Sequence, residues 1–90
     1  MRYRVELSAE AQKQLSNFPR DVRDRLERAI DEFEAKDDSQ WSNVKALQGT
    51  QWKGRYRRKV GPYRIIFRKF PDRSVVELSA ILIKSKDTYK

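Results

Sequence analysis

The sequence predicts an α+β domain in which two N-terminal helices pack on one face of a mainly antiparallel four-stranded sheet, in the order strand, helix, helix, strand, strand, strand. Three observations lead there. Apolar residues recur at helical spacing between Ala11 and Phe33, and the pattern shifts to a period of two beyond Trp52. At 90 residues the chain is long enough for one core and too short for two, so residues 1–90 are expected to form a single domain.

The elements follow in order. "RYRVELS" alternates, with Tyr3 and Val5 on one side and Arg2, Arg4 and Glu6 on the other, as a half-buried strand does. Ser8 offers an N-cap hydroxyl and Glu10 a first-turn carboxylate to a helix that carries Ala11, Leu15 and Phe18 on one side. Pro19 suits the first turn of a second helix, whose stripe is Val22, Leu26, Ala29, Ile30 and Phe33. "AKDDSQWSN" reads as a polar loop, and "VKALQGT" as a short connection whose Val44 and Leu47 reach the edge of the core. "WKGRYRRKV", "PYRIIFRKF" and "SVVELSAILI", divided by "GP" and "PDR", read as a three-stranded meander. The last strand is apolar on both sides and is placed in the sheet centre.

Composition removes several chemistries. There is no cysteine and no histidine, so disulfides, thiolate nucleophiles, Ser-His pairs and Cys/His zinc sites are excluded; any catalysis falls to Lys, Arg, Tyr, Asp or Glu. The N-terminal segment lacks the apolar run of a signal peptide, and no stretch reaches the length of a membrane span, so a cytoplasmic protein without membrane contact is expected. No cofactor and no metal are expected.

Charge is unevenly placed. The net charge is +8, yet Ser39 to Pro71 holds nine basic residues and no acidic one, leaving 12 of the 21 Lys and Arg against all 13 Asp and Glu elsewhere. Such a localised field attracts polyanions, nucleic acid first among them. Strand alternation sorts the charges. Arg55, Arg57 and Lys59 share one side of the first meander strand, with Gly54, Tyr56 and Arg58 on the other; Tyr63, Ile65 and Phe67 oppose Arg64, Ile66 and Arg68 on the next. If the Tyr63/Ile65/Phe67 side meets the helices, the sheet presents a cationic face away from them. Like charges opposed across strands destabilise a sheet by some tenths of a kcal/mol per pair. A bound phosphate backbone is the simplest compensation.

The element order, "LQGT" before the basic strand, "GRYRRKVGPYRIIF" with its Gly-x-Tyr-Arg turn, and the terminal "KSKDTYK" together resemble the RelE/ParE superfamily of bacterial and archaeal toxins over essentially the whole chain. The resemblance implies the toxin of a type II toxin-antitoxin system, held inactive by a cognate antitoxin; the localised positive charge leads us to expect an extended acidic or apolar antitoxin segment over it. Toxin-antitoxin complexes of this kind can bind operator DNA through the antitoxin. For the RelE branch it implies metal-independent, ribosome-dependent endonucleolytic cleavage of mRNA, which inhibits translation; for the ParE branch, inhibition of DNA gyrase without nuclease chemistry. A non-catalytic RNA-binding module is the third class.

Aligned through Leu47-Gln48-Gly49 and Gly61-Pro62-Tyr63-Arg64, the catalytic positions of RelE-type enzymes fall on Arg55, Arg57, Arg64, Lys84 and Tyr89. Lys53, Arg58, Lys59, Arg68 and Lys86 are the expected RNA contacts. Two departures stand out. Arginines replace the lysines that the best-known relatives carry on the first meander strand, and a guanidinium clamps anions but does not take protons. The spacing from the basic residue to the C-terminal tyrosine is also shorter than in those relatives, so Lys84 and Lys86 compete for one role.

Overall fold

In a computed structural model, residues 1–49 and 54–83 are described. They form β1 (Arg4–Leu7), α1 (Ala9–Asn17), α2 (Arg20–Ala35), β2 (Val44–Ala46), β3 (Arg55–Val60), β4 (Tyr63–Phe70) and β5 (Val75–Ile83), with short 3-10 turns at Asp38–Gln40 and Pro71–Arg73. The sheet has five strands in the order β1-β5-β4-β3-β2, all neighbours antiparallel except the β1–β5 pair. That pair is parallel because both helices intervene between β1 and the meander, and parallel neighbours need such a crossover.

The fold class matches the expectation, and the strand count exceeds it by one. Val44–Ala46, read as a connection, pairs with β3 through Val44↔Arg58, Lys45↔Arg57 and Ala46↔Tyr56. Three residues are too few for alternation to be visible in sequence. The second surprise is Trp41, which lies in the supposed polar loop but is buried. Its ring meets Phe33 at 4.7 Å and Phe67 at 5.9 Å, both nearly edge-on, and its indole N–H donates to the Lys36 carbonyl at 3.2 Å. Phe33 also meets Phe67 at 4.9 Å, so α2, the loop and β4 close the core through one aromatic cluster.

Helix side chains finish the sheet edges. Ser8 Oγ accepts from the Ala11 N–H at 3.1 Å, as an N-cap does, and also donates to the Ser79 carbonyl at 2.8 Å. Gln14 Oε1 accepts from the Ile81 N–H at 2.6 Å, and Glu34 Oε2 from the Val5 N–H at 2.7 Å. These contacts satisfy strand N–H and C=O groups that lack a neighbouring strand.

Two backbone features set the sheet face. A bulge at Ser79 shifts the β4–β5 register from Ile66↔Ala80 to Phe67↔Leu78. The extra residue lets Val76, Leu78 and Ile81 all reach the helix side, which is why β5 shows no clean alternation. The β3–β4 hairpin turns on Gly61 and Pro62 between the paired Val60 and Tyr63. Gly61 has φ +57°, and proline fixes its own φ near about −65°, the sign combination of a II′ turn. Gly61→Ala is expected to cost about 1–2 kcal/mol, the strain of a Cβ in the left-handed region. A lower urea midpoint at unchanged slope checks it; an unchanged midpoint would mean that the turn does not need glycine.

A cationic sheet face as the candidate functional site

The helices cover the side of the sheet that carries Tyr63, Ile65 and Phe67, as alternation requires. On the opposite side, register sets Arg55 against Arg68, Arg57 against Ile66, Lys59 against Arg64, and Lys45 beside Arg57. The structure therefore brings together Arg55, Arg57, Lys59, Arg64 and Arg68 and adds Lys45. Ile66, fully buried, stands in the middle of them.

Two of these arginines are held by the backbone. Arg64 is only 4% exposed, and its Nη1 donates to the carbonyls of Gly61 at 2.8 Å and Tyr63 at 2.9 Å. Arg57 Nη1 donates to the Asn43 carbonyl at 3.1 Å, which also accepts from the Lys59 N–H at 3.0 Å. Asn43 has φ +60°, a conformation that asparagine tolerates better than most residues, and Gly61 has φ +57°. Each guanidinium is thus aimed by a carbonyl from a left-handed residue. Such fixed positions lower the reorganisation needed when an anion arrives.

The field is bounded. Glu77 on β5 stands opposite Arg68 in register, and Glu6 on β1 lies beside Glu77. Sequence reasoning missed Glu77 because the acid-free stretch ends at Pro71 along the chain, whereas in space β5 lies next to β4. The positive surface therefore occupies the β2–β3–β4 part of the face, and the β5–β1 part is mixed.

Arg58, expected among the RNA contacts, does not belong to this surface. It is 5% exposed on the helix side, where Nη2 pairs with Glu32 Oε2 at 3.0 Å, Nη1 donates to the Ala29 carbonyl at 3.3 Å, and the guanidinium lies 5.5 Å from the Phe33 ring centre. Strand alternation had already placed Arg58 with Tyr56, opposite to Arg57. The Arg58 hydrogen bond, aided by its charge and that of Lys36, holds the Glu32 carboxyl below its ordinary range against the opposing effect of burial. Lys69 points the same way, 3.4 Å from Asp38 and over the rings of Trp41 and Tyr56. Two of the nine clustered charges are therefore structural.

Lys53, Lys84, Lys86 and Tyr89 lie outside the described residues. Among the described residues no group of His, Cys, Asp and Glu could hold a metal ion, and the arginines of the cationic face are anion clamps that do not accept protons. No described helix is long and apolar enough to cross a membrane.

Known proteins give the arrangement a family. No curated protein matches the sequence. The chain is similar in structure to a chain of the RelBE2 toxin-antitoxin complex of Mycobacterium tuberculosis, with TM-score 0.70, 21% identity, and coverage of 93% of this chain and 100% of that one. It is similar to the archaeal RelE-RelB complex of Pyrococcus horikoshii OT3, with TM-score 0.70, 24% identity, and coverage of 96% and 99%. The isolated E. coli RelE toxin gives TM-score 0.68 at 18% identity, over 94% of this chain and 89% of that one. At these identities the likeness establishes a RelE-like fold. Residues 5–88 match the family model described as the ParE toxin of the type II toxin-antitoxin system parDE, and the chain accordingly belongs to this family of type II toxins.

Proposed function

We propose that this toxin cleaves mRNA on the ribosome, with the helix-free face of β3 and β4 as its phosphate-binding surface. The observation that carries the reading is the convergence of Arg55, Arg57, Lys59 and Arg64 in one register block, two of them aimed by backbone carbonyls. In the reaction the ribose 2′-oxygen attacks the adjacent phosphorus, the bond to the 5′-oxygen breaks, and a 2′,3′-cyclic phosphate and a 5′-hydroxyl result. One proton leaves the 2′-hydroxyl and one reaches the 5′-oxygen. Arg55, Arg57 and Arg64 stabilise the charge that builds on the non-bridging oxygens, for which fixed guanidinium forks are suited. Lys59, Arg68 and Lys53 hold the flanking backbone.

Proton transfer is assigned to Lys84 or Lys86 and to Tyr89, since the arginines cannot perform it. Lysine and tyrosine release protons near about pH 10, so cleavage should accelerate as pH rises above neutrality, with no inflection near the histidine value of about 6.5. Tyr89→Phe keeps the ring and removes the hydroxyl. Single-turnover cleavage by this variant should be slower and should lose its alkaline rise; an unchanged rate and pH profile would take Tyr89 out of the reaction.

The resting partner is an antitoxin whose extended acidic or apolar segment covers the cationic face, as charge complementarity favours. Support comes from the RelBE2 and archaeal RelE-RelB structures, which are toxin-antitoxin complexes.

The family model that matches bears the ParE name, and this favours a second reading: a gyrase inhibitor without nuclease chemistry. Parallel assays separate the two. Incubation with translating ribosomes, followed by primer extension, should give discrete mRNA cleavage, and a gyrase supercoiling assay should show no inhibition. The reverse pattern would replace the nuclease by the gyrase inhibitor.

A further inference from the structure

Arg25 of α2 plays no part in the function argued above, yet its guanidinium rests on the β3–β4 turn. A Cβ at Gly61 would stand 2.6 Å from Arg25 Nη2 and 3.5 Å from its Cζ, so the residue fills the space that a side chain at position 61 would take. From the other side of the sheet, Arg64 Nη1 donates to the Gly61 carbonyl at 2.8 Å. Two guanidinium groups, one from the helix layer and one from the cationic face, therefore straddle one glycine at the hairpin tip.

Arg25 is exposed, and among the described residues it forms no ion pair, although Asp21 precedes it by one helical turn. Arg28 differs: it lines a groove with Asp24, Glu27 and Asp31. The hairpin itself, residues 54–70, carries no carboxylate. A cation with no ion-pair partner among the described residues, held beside another like charge on a hairpin that carries no carboxylate, favours the approach of an anionic backbone.

We propose that the hairpin tip continues the RNA path, with the strand that lies on the cationic face passing over Gly61 and Pro62 so that Arg25 clamps a phosphate flanking the one at Arg64. This rests on the RNA-cleaving reading and assigns Arg25 as a binding residue. RNA is favoured over an acidic peptide because a regular phosphate backbone can meet guanidinium forks on both sides of a narrow turn in succession.

The test is binding of the purified chain to a labelled single-stranded oligouridylate, followed by fluorescence anisotropy over a range of salt concentrations, for the wild type and for Arg25→Gln, Arg25→Lys, Arg64→Gln and Arg73→Gln. Each phosphate contact contributes about 0.7 to the slope of log affinity against log salt for single strands. Arg25→Gln should lower the slope by about 0.7 and weaken binding roughly three- to tenfold, equally for oligoadenylate. Arg25→Lys should restore the slope. Arg73→Gln, in the turn at the far end of β4, should leave it unchanged.

A wild-type slope in Arg25→Gln, beside a reduced slope in Arg64→Gln, overturns the inference and spares the proposed function. A wild type that binds no RNA at low salt overturns both. Loss in Arg25→Gln that Arg25→Lys fails to restore, with a lowered melting temperature in both, also overturns the inference, because it marks Arg25 as a structural support of the turn.

Discussion

Replacing Arg64 by alanine is expected to slow ribosomal mRNA cleavage by about a hundred- to a thousandfold, equivalent to roughly 3–4 kcal/mol, by analogy with removal of one preorganised oxyanion donor. The structure alters what must be measured alongside. Arg64 is 4% exposed and is held by two turn carbonyls, so the substitution also removes two hydrogen bonds. Those should cost about 1–2 kcal/mol together, well inside the stability of an ordinary domain. A folded but inactive variant is therefore the expected result, with a modestly lowered urea midpoint. Arg64→Lys sharpens the comparison: it retains the charge and loses the fork, and its cleavage rate should fall between the two. Near-wild-type cleavage by folded Arg64→Ala would remove this residue from the site and leave Arg55 and Arg57 to carry the charge.

Much of this surface was legible in the sequence because it depends on local periodicity. Tyr63, Ile65 and Phe67 alternate with Arg64, Ile66 and Arg68, and the helix stripe from Val22 to Phe33 says which of the two sides is covered. Three things were not legible, each because it depends on residues distant in sequence. The pairing of β2 with β3 reveals a fifth strand that three residues could not announce. Asn43 matters through its carbonyl, which accepts from Arg57 at a residue of positive φ, and a lone asparagine in a polar loop carries no visible sign of that role. Glu77 lies outside the acid-free stretch of the chain but opposite Arg68 in the sheet. Arg58 is a different case. Its strand position already put it on the helix side; the charge total of the segment outweighed that alternation, and the structure sides with alternation.

The largest expected effect on stability lies at that same arginine. Glu32→Ala would leave the Arg58 guanidinium beneath α2 with, among the described residues, the Ala29 carbonyl and the face of Phe33 as its partners. Removing one partner of a buried pair costs about 3–5 kcal/mol; because the Glu32 side chain keeps 23% of its exposure, about 2–3 kcal/mol is expected here. The double variant Glu32→Leu/Arg58→Met should recover most of the loss, since an apolar pair of similar length needs no desolvated charge and keeps the packing on Phe33. Acid should reveal the same pair. The Arg58 hydrogen bond holds the Glu32 carboxyl below its ordinary value of 4.5, so its contribution is fully present above that pH and is lost as pH falls through the lower folded-state value. Urea unfolding of the wild type should therefore weaken below pH 4.5 more steeply than that of Glu32→Gln, which has no carboxyl to protonate. Equal acid slopes in the two proteins would show that the carboxylate gains nothing from Arg58, and that packing on Phe33 alone keeps this arginine inside.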